Sequence, residues 1–185
     1  MTRQRGVSLV ELIMFIVIVS VALAGILLVM NVTTRGSADP LIHKQSLAIA
    51  ESILEEIELM PFTICDPDDP AATSANVIGD CTVPGAEVIG PENDVSRYHP
   101  TLPYDNVSDY HNFFMNPGFI LDITNTNTGV NGYRLDPIII STIATLPGIA
   151  LADDVLQIRV SVTGPDGVAV VLDGIRTRYA PRAVP

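Results

Sequence analysis

Residues 3–25 read RQRGVSLVELIMFIVIVSVALAG, and this stretch decides how the chain is organised. Two arginines and a glycine precede an apolar run from Val7 to Met30, in which Glu11 is the single charged residue. As a helix the run would be about 36 Å long, enough to cross a hydrocarbon core of about 30 Å. A charge at mid-membrane costs about 2–3 kcal/mol, and less near the interface, so the position of Glu11 needs a physical reason.

Composition and charge limit what the chain can do and where it lies. Its 185 residues suffice for one ordinary domain plus the apolar run, and 21 acidic against 10 basic residues give a formal charge of -11. The basic residues form no stripe, so we predict no nucleic-acid partner. Arg3 and Arg5 precede the apolar run, and only Arg35 follows it closely. The positive-inside rule therefore predicts a cytoplasmic N-terminus, with the rest of the chain across the membrane.

The N-terminus has two simple interpretations. A secretory signal peptide would end at a small-x-small site, which Ala22-Leu23-Ala24 could supply. A plain single-pass anchor would keep the whole apolar run. Neither interpretation gives Glu11 a role, unless the carboxylate merely reaches the cytoplasmic interface from a shallow depth.

A third interpretation uses the order of residues from Gly6 to Glu11, GVSLVE. This order resembles the processing site of the type IV prepilin family, in which a basic leader ends in glycine and a membrane peptidase cuts after it. The family methylates the new N-terminal residue and has glutamate as the fifth residue of the mature chain. The resemblance implies cleavage between Gly6 and Val7, N-methylation of Val7 and an assembly role for Glu11. Valine departs from the phenylalanine or methionine that is commoner at this position in the family.

The resemblance supplies a physical reason for Glu11. Cleavage would leave an α-amino cation at the end of an apolar helix, and packing such helices side by side in a filament would bury it. A buried charge is tolerated only when it is paired. Glu11 lies one helical turn further along, so it could pair with the amine of a neighbouring subunit displaced by about one turn, which would fix the stagger.

The pilin architecture implied by the resemblance is an α+β fold, with a long N-terminal helix packed on a C-terminal antiparallel sheet. Five segments follow: a leader (1–6), a transmembrane and filament-core helix (7–30), an amphipathic helix (31–60), a disulfide-pinned loop region rich in proline and aspartate (61–118) and an antiparallel sheet region (119–185).

The amphipathic helix is predicted from apolar residues at helical spacing. Gly36 and Pro40 interrupt the pattern, with Asp39 placed as an N-cap and Pro40 as the first helical position. Pro61 predicts an end at Met60. The apolar stripe, which should pack on a globular head, comprises Ile42, Ile49, Ala50, Ile53, Leu54, Ile57 and Met60.

The last third of the chain has strand patterns. FILDITN alternates from Phe119, and YRLDPIIISTIATL is rich in β-branched residues. DVLQIRVSVT alternates most regularly, GPDG at 164–167 predicts a turn, and VAVVLDGIRTRY is the expected hairpin partner.

Cys65 and Cys81 are the two cysteines, with fifteen residues between them and no CxxC spacing. An exported chain with an even pair favours one disulfide, which would stabilise the fold by roughly 3 kcal/mol in the chain-entropy model. Two separate buried thiols are the alternative.

Neither catalysis nor cofactor binding has a motif in this sequence. Three histidines accompany no HExxH, no GxSxG and no phosphate-binding glycine loop, so we predict no enzyme and no cofactor. The carboxylates in CDPDDP and DNVSDYHNF could bind calcium. However, Asp66, Asp68 and Asp69 match no EF-hand spacing, and Asp105 with Asp109 supply too few ligands. Turn and capping roles are the stronger interpretation, and we predict no metal site.

Other stretches resemble the minor pilins of the mannose-sensitive haemagglutinin (MSHA) pilus, namely SADPLIHKQSLAIAESILEEIELMPF, the cysteine pair, DNVSDYHNF and GIRTRYAP. The resemblance implies a low-copy subunit that helps to start or cap a filament. Its partners would be a prepilin peptidase, other major and minor pilins, the inner-membrane assembly platform, and membrane lipid before assembly. A pseudopilin of a type II secretion system and a membrane-anchored periplasmic binding domain remain as alternatives.

Overall fold

The computed structural model describes residues 6, 8–83, 85–92, 94–143, 154–180, 182 and 184, with backbone only for 32–39. Leader residues 1–5 and the expected new terminus Val7 therefore lie outside the described residues, as does the side chain of Asp39. The chain divides into two compact units, Met1–Leu41 and Ile42–Pro185. One helix, α1 (Leu9–Leu59), has its apolar first stretch in the first unit and its second stretch in the other.

The described part of the second unit contains four strands, β1 (Arg134–Leu135), β2 (Ile139–Thr142), β3 (Val155–Thr163) and β4 (Ala169–Thr177). Every pairing is antiparallel: β3 pairs with β4 along its whole length, and β1 and β2 both pair with β3. Two short 3₁₀ helices, Ile78–Asp80 and Ser108–Tyr110, precede the sheet. The arrangement is the predicted α+β, pilin-like fold.

The hairpin of β3 and β4 confirms the turn expected at 164–167. Thr163 pairs with Ala169, and the Gly164 N–H donates to the Val168 carbonyl at 3.0 Å. Gly167 has a φ of 78°, which a residue with a side chain rarely adopts. The local sequence is therefore sufficient to fix this register.

The core forms where the sheet meets the second stretch of α1. Ala50, Ile53 and Ile57 are buried from the helix, and Leu156, Ile158, Val160 and Val162 are buried from β3. Ile42, Ile49, Leu54 and Met60 pack at the margin of the same cluster. Both the predicted helical stripe and the predicted alternation along β3 are confirmed.

Three local expectations need correction. Pro40 lies inside α1 rather than at the start of a new helix, and α1 ends at Leu59, one residue before the predicted end. A proline in a helix interior removes one backbone hydrogen bond, which costs about 3 kcal/mol locally. Here the helical residues on both sides of Pro40 offset this cost. FILDITN forms no strand, because Asp122 Oδ1 accepts the N–H groups of Thr124 and Thr126, each at 2.9 Å, and closes a turn.

Cys65 and Cys81 form a disulfide with their Cα atoms 5.5 Å apart. Cys65 is fully buried in a second, small apolar cluster with Ile64, Ala72 and Ala75. Asp69 joins the two sides of this loop, since its carboxylate accepts the Ala71 N–H at 2.8 Å and the Thr82 N–H at 2.6 Å. The loop region therefore has its own point of attachment close to the end of α1.

Gly174 allows α1 to lie close against β4. A Cβ at this position would lie 2.8 Å from Cδ1 of Leu54, and closer still to Oε1 of Glu58. Both atoms are the far ends of flexible helix side chains, so a methyl group here would displace these side chains rather than the backbone.

We predict that Gly174→Ala lowers the free energy of unfolding by about 1 kcal/mol, because Leu54 and Glu58 must leave their present rotamers to admit the methyl group. Urea denaturation of the full chain in detergent micelles measures the change. Gly79→Ala is the matched control, since a Cβ there meets nothing within 4 Å and should change stability by at most about 0.5 kcal/mol. Equal stability of the two variants would contradict the close approach.

Candidate functional site

The N-terminal segment presents a glycine, a helix start and a carboxylate in close succession. Gly6 is exposed, the Ser8 carbonyl accepts the Leu12 N–H at 3.1 Å, and α1 begins at Leu9. Glu11 lies in the first helical turn and is exposed. A carboxylate in this position interacts favourably with the unpaired N–H groups of the helix start.

The apolar stretch after Glu11 is exposed in the described structure. Leu9–Asn31 comprises 23 residues with a mean hydropathy of 3.2, and none of its most apolar window is buried. Its one polar side chain at mid-length, Ser20, donates to the Ile16 carbonyl at 2.7 Å and so needs no external partner. At about 1.5 Å per residue the stretch is long enough to cross a membrane, and it must be covered by lipid or by other helices.

Comparison with known proteins identifies this segment. Residues 1–27 match the family model described as the prokaryotic N-terminal methylation motif. No curated protein and no solved structure shows a significant match to the chain. The motif, the apolar stretch and the pilin-like fold together support the class of type IV prepilin-like proteins, which comprises pilins and pseudopilins. The motif implies processing by a prepilin peptidase and assembly with pilins. The apolar stretch fits the single-pass membrane anchor typical of prepilins.

The head carries a buried ionic network that the sequence did not indicate. The side chain of Arg97 is 2% exposed, and its Nε donates to Oε1 of Glu56 on α1 at 2.6 Å. The Tyr110 hydroxyl donates to the same oxygen at 2.7 Å, and Nη1 of Arg97 donates to the Leu121 carbonyl at 3.1 Å. One helix residue thus joins two segments of the loop region, and the arginine extends the contact to the residues before the sheet.

The environment of this network fixes its protonation. Burial and the adjacent Glu56 carboxylate raise the pKa of Tyr110 far above its usual range, so the hydroxyl remains a donor. The Arg97 guanidinium also lies over the Phe113 ring, 5.7 Å from its centroid. Charge, hydrogen bonds and aromatic contact therefore all favour one position of the loop region on α1.

The aspartates singled out in the sequence occupy two environments. Asp69 closes the turns described above, whereas Asp66, Asp68 and Asp105 bring carboxylate oxygens within 4.8 Å of one another. Asp109 joins Asp94 and Asp105 in a second such group, and Glu87 and Glu92 in a third. Sequence reasoning missed Glu87, Glu92 and Asp94, because they occur singly along an irregular loop. The absence of a metal site stays a prediction.

Two of the histidines have defined contacts in the loop region. Nδ1 of His111 accepts the Ile140 N–H at 3.0 Å, and Nδ1 of His99 accepts the Leu102 N–H at 3.1 Å. Each ring thus stabilises a backbone position, as the assignment to loop side chains predicts.

We predict that Arg97→Ala destabilises the protein by about 3–5 kcal/mol, because it leaves the Glu56 carboxylate partly buried without its counter-charge. Denaturant unfolding of the full chain measures this loss. The matched control is Arg159→Ala, since Arg159 pairs with Asp173 at 2.7 Å with both side chains more than two-fifths exposed. An exposed pair contributes about 0–1 kcal/mol, so similar losses in the two variants would refute a special role for the buried pair.

Proposed function

We propose that the chain is a minor type IV pilin of the MSHA type, similar to MshD, that takes part in pilus assembly at initiation or at the tip. The observation that carries the proposal is the uncovered apolar stretch Leu9–Asn31 with Glu11 in its first turn. The match to the N-terminal methylation motif supports the pilin class. The MSHA assignment rests on the three stretches and the cysteine pair named above, together with a head that carries a disulfide-pinned loop region.

In this proposal a prepilin peptidase cuts between Gly6 and Val7, and the new N-terminus is methylated. The basic residues before the apolar stretch place the N-terminus in the cytoplasm and the head in the periplasm. Lipid covers Leu9–Asn31 before assembly, and the corresponding helices of other pilins cover it afterwards. The assembly platform of the inner membrane would transfer the subunit between these two environments.

The proposed role is structural rather than catalytic. Glu56, Arg97 and Tyr110 of the buried network contact one another and so support a structural role for these polar side chains. A pseudopilin of a type II secretion system would share the N-terminal processing and the long N-terminal helix. A membrane-anchored binding domain would share only the membrane anchor. Cleavage after Gly6 excludes the binding domain, and recovery in sheared pili separates a pilin from a pseudopilin.

We predict that the mature protein begins at N-methylated Val7, because glycine at position 6 leaves room for the peptidase at the cleavage point. Intact-protein mass spectrometry of the membrane and sheared-pilus fractions measures the N-terminus. Gly6→Ala should slow processing, and Gly6→Val should abolish it.

The control for this experiment is Gly25→Ala, because Gly25 lies within the apolar run and has open space around it, as Gly6 does. This variant should be processed like the wild type. A mature chain that begins at Gly25 would instead establish an ordinary signal peptide and overturn the pilin proposal. Processed protein that is present in membranes but missing from sheared pili would contradict the assignment to a pilus.

A further inference from the structure

Seven carboxyl groups of the loop region converge in the folded head. They form three groups of three that are linked by the shared residues Asp105 and Asp109, and within each group one oxygen of each carboxyl lies within 4.8 Å of the others. We refer to all seven together as the carboxylate cluster: Asp66, Asp68, Glu87, Glu92, Asp94, Asp105 and Asp109. The members come from four separate parts of the loop region, so the cluster exists only when this region is folded. Like charges at such distances repel one another strongly where water is excluded.

The centre of the cluster is buried. Asp109 is 1% exposed and Asp66 is 5% exposed. Oε1 of Glu87 accepts the Ser108 hydroxyl at 2.5 Å, but its Oε2 is buried without a hydrogen-bond partner. An ionised carboxylate in that position would be costly, whereas a protonated one carries no net charge and gains a donor.

One end of the cluster is connected to the helix. Oδ2 of Asp109 accepts the N–H groups of Asp105 and Asn106 at 2.9 and 2.7 Å, and so shapes the turn that leads into the 3₁₀ helix Ser108–Tyr110. Tyr110 follows directly and donates to Glu56 on α1. Any displacement of Asp109 therefore acts on the contact between the loop region and α1.

We propose that the carboxylate cluster is a pH-sensitive switch: protons on its buried members hold residues 105–110 against α1, and loss of these protons loosens this segment. The carboxyl groups themselves lie outside the core between α1 and β3, whereas Val107 and Tyr110 of the segment belong to it. Loosening of the segment would therefore expose one margin of the core and leave the pairing of β3 with β4 in place.

Other charged and titratable groups also face the cluster. Tyr104 lies beside Asp94 and Asp109, and burial together with these carboxylates raises the pKa of its hydroxyl. Arg178 shares a cavity of about 210 Å³ with Glu87 and pairs with Asp154 at 3.0 Å. Arg176 shares a larger cavity with Asp105 and donates to the Met60 carbonyl at 3.0 Å. Both arginines thus face the cluster from the end of β4 while they bind groups outside it.

The titration of the cluster sets the pH range. Burial, reinforced by neighbouring carboxylates, raises the pKa of Asp105 to about 7, that of Asp109 to about 8 and that of Glu87 to about 9. The unfolded chain titrates its carboxyl groups near pH 4, so the folded state holds the extra protons above that pH. Their contribution to stability is complete below the unfolded pKa values and is lost as the pH rises through the folded ones.

Hydrogen exchange with mass spectrometry on the full chain in detergent micelles, with EDTA present, tests the switch. Between about pH 6 and pH 9 we expect protection of peptides from 103–115, corrected for intrinsic exchange rates, to fall by about tenfold or more, since one pKa unit corresponds to a factor of ten. Peptides from β3 and β4 should keep their protection over the same range. Equal protection of 103–115 at both pH values would overturn the proposal.

A double variant, Glu87→Gln with Asp109→Asn, imitates the protonated state without changing shape. It should keep at least most of its protection at the higher pH, whereas the exposed control Glu55→Gln should lose protection like the wild type. A double variant that loses as much as the wild type would refute the assignment to these residues. Repeating the wild-type series with millimolar calcium chloride should give the same loss. Full protection at high pH in calcium would overturn proton control, because a cation would then hold the cluster.

Discussion

The apolar stretch Leu9–Asn31 must be covered, and its own described chain does not cover it. Burying apolar surface is the main favourable term in association, so a helix of this length is stable only in lipid or among similar helices. Glu11 is the one charged residue within the stretch, and in the proposed filament it would pair with a positive charge of a neighbouring subunit. A prepilin-like segment meets both requirements, since cleavage creates an amine one helical turn before the carboxylate.

The second stretch of α1 satisfies a different constraint. Its apolar residues enter the core with β3, and Gly174 allows the backbone of β4 to approach Leu54. Its polar face is used as well, because Glu56 binds Arg97 and Tyr110 from the loop region. One helix therefore carries an uncovered apolar surface for assembly and an internal attachment for the head. The disulfide between Cys65 and Cys81 holds the first part of the loop region near the end of this helix.

The sequence was most informative where structure depends on neighbouring residues. Alternation along β3, the turn at 164–167 and the stripe around Ile53 and Ile57 are local patterns, and all appear in the fold. The N-terminal methylation motif could also be predicted from the sequence, because the order of its residues alone defines it. The Glu56–Arg97 pair joins residues 41 positions apart, and the carboxylate cluster collects acids from separate turns, so neither leaves a sequence pattern. The strand predicted for FILDITN was wrong, because the Asp122 carboxylate closes a turn that outweighs the alternation of apolar and polar residues.

In the proposed filament, the Glu11 carboxylate pairs with the α-amine of a neighbouring subunit. The most direct measurement is the ratio of processed protein in sheared pili to processed protein in membranes, compared between wild type and Glu11→Gln, with Ser20→Ala as a control in the same helix. We predict normal levels of processed protein in membranes for both variants, and normal incorporation of Ser20→Ala into pili. We also predict a decrease of about tenfold or more in the ratio for Glu11→Gln, because the buried amine loses its counter-charge. Equal incorporation of Glu11→Gln and wild type would contradict the pairing.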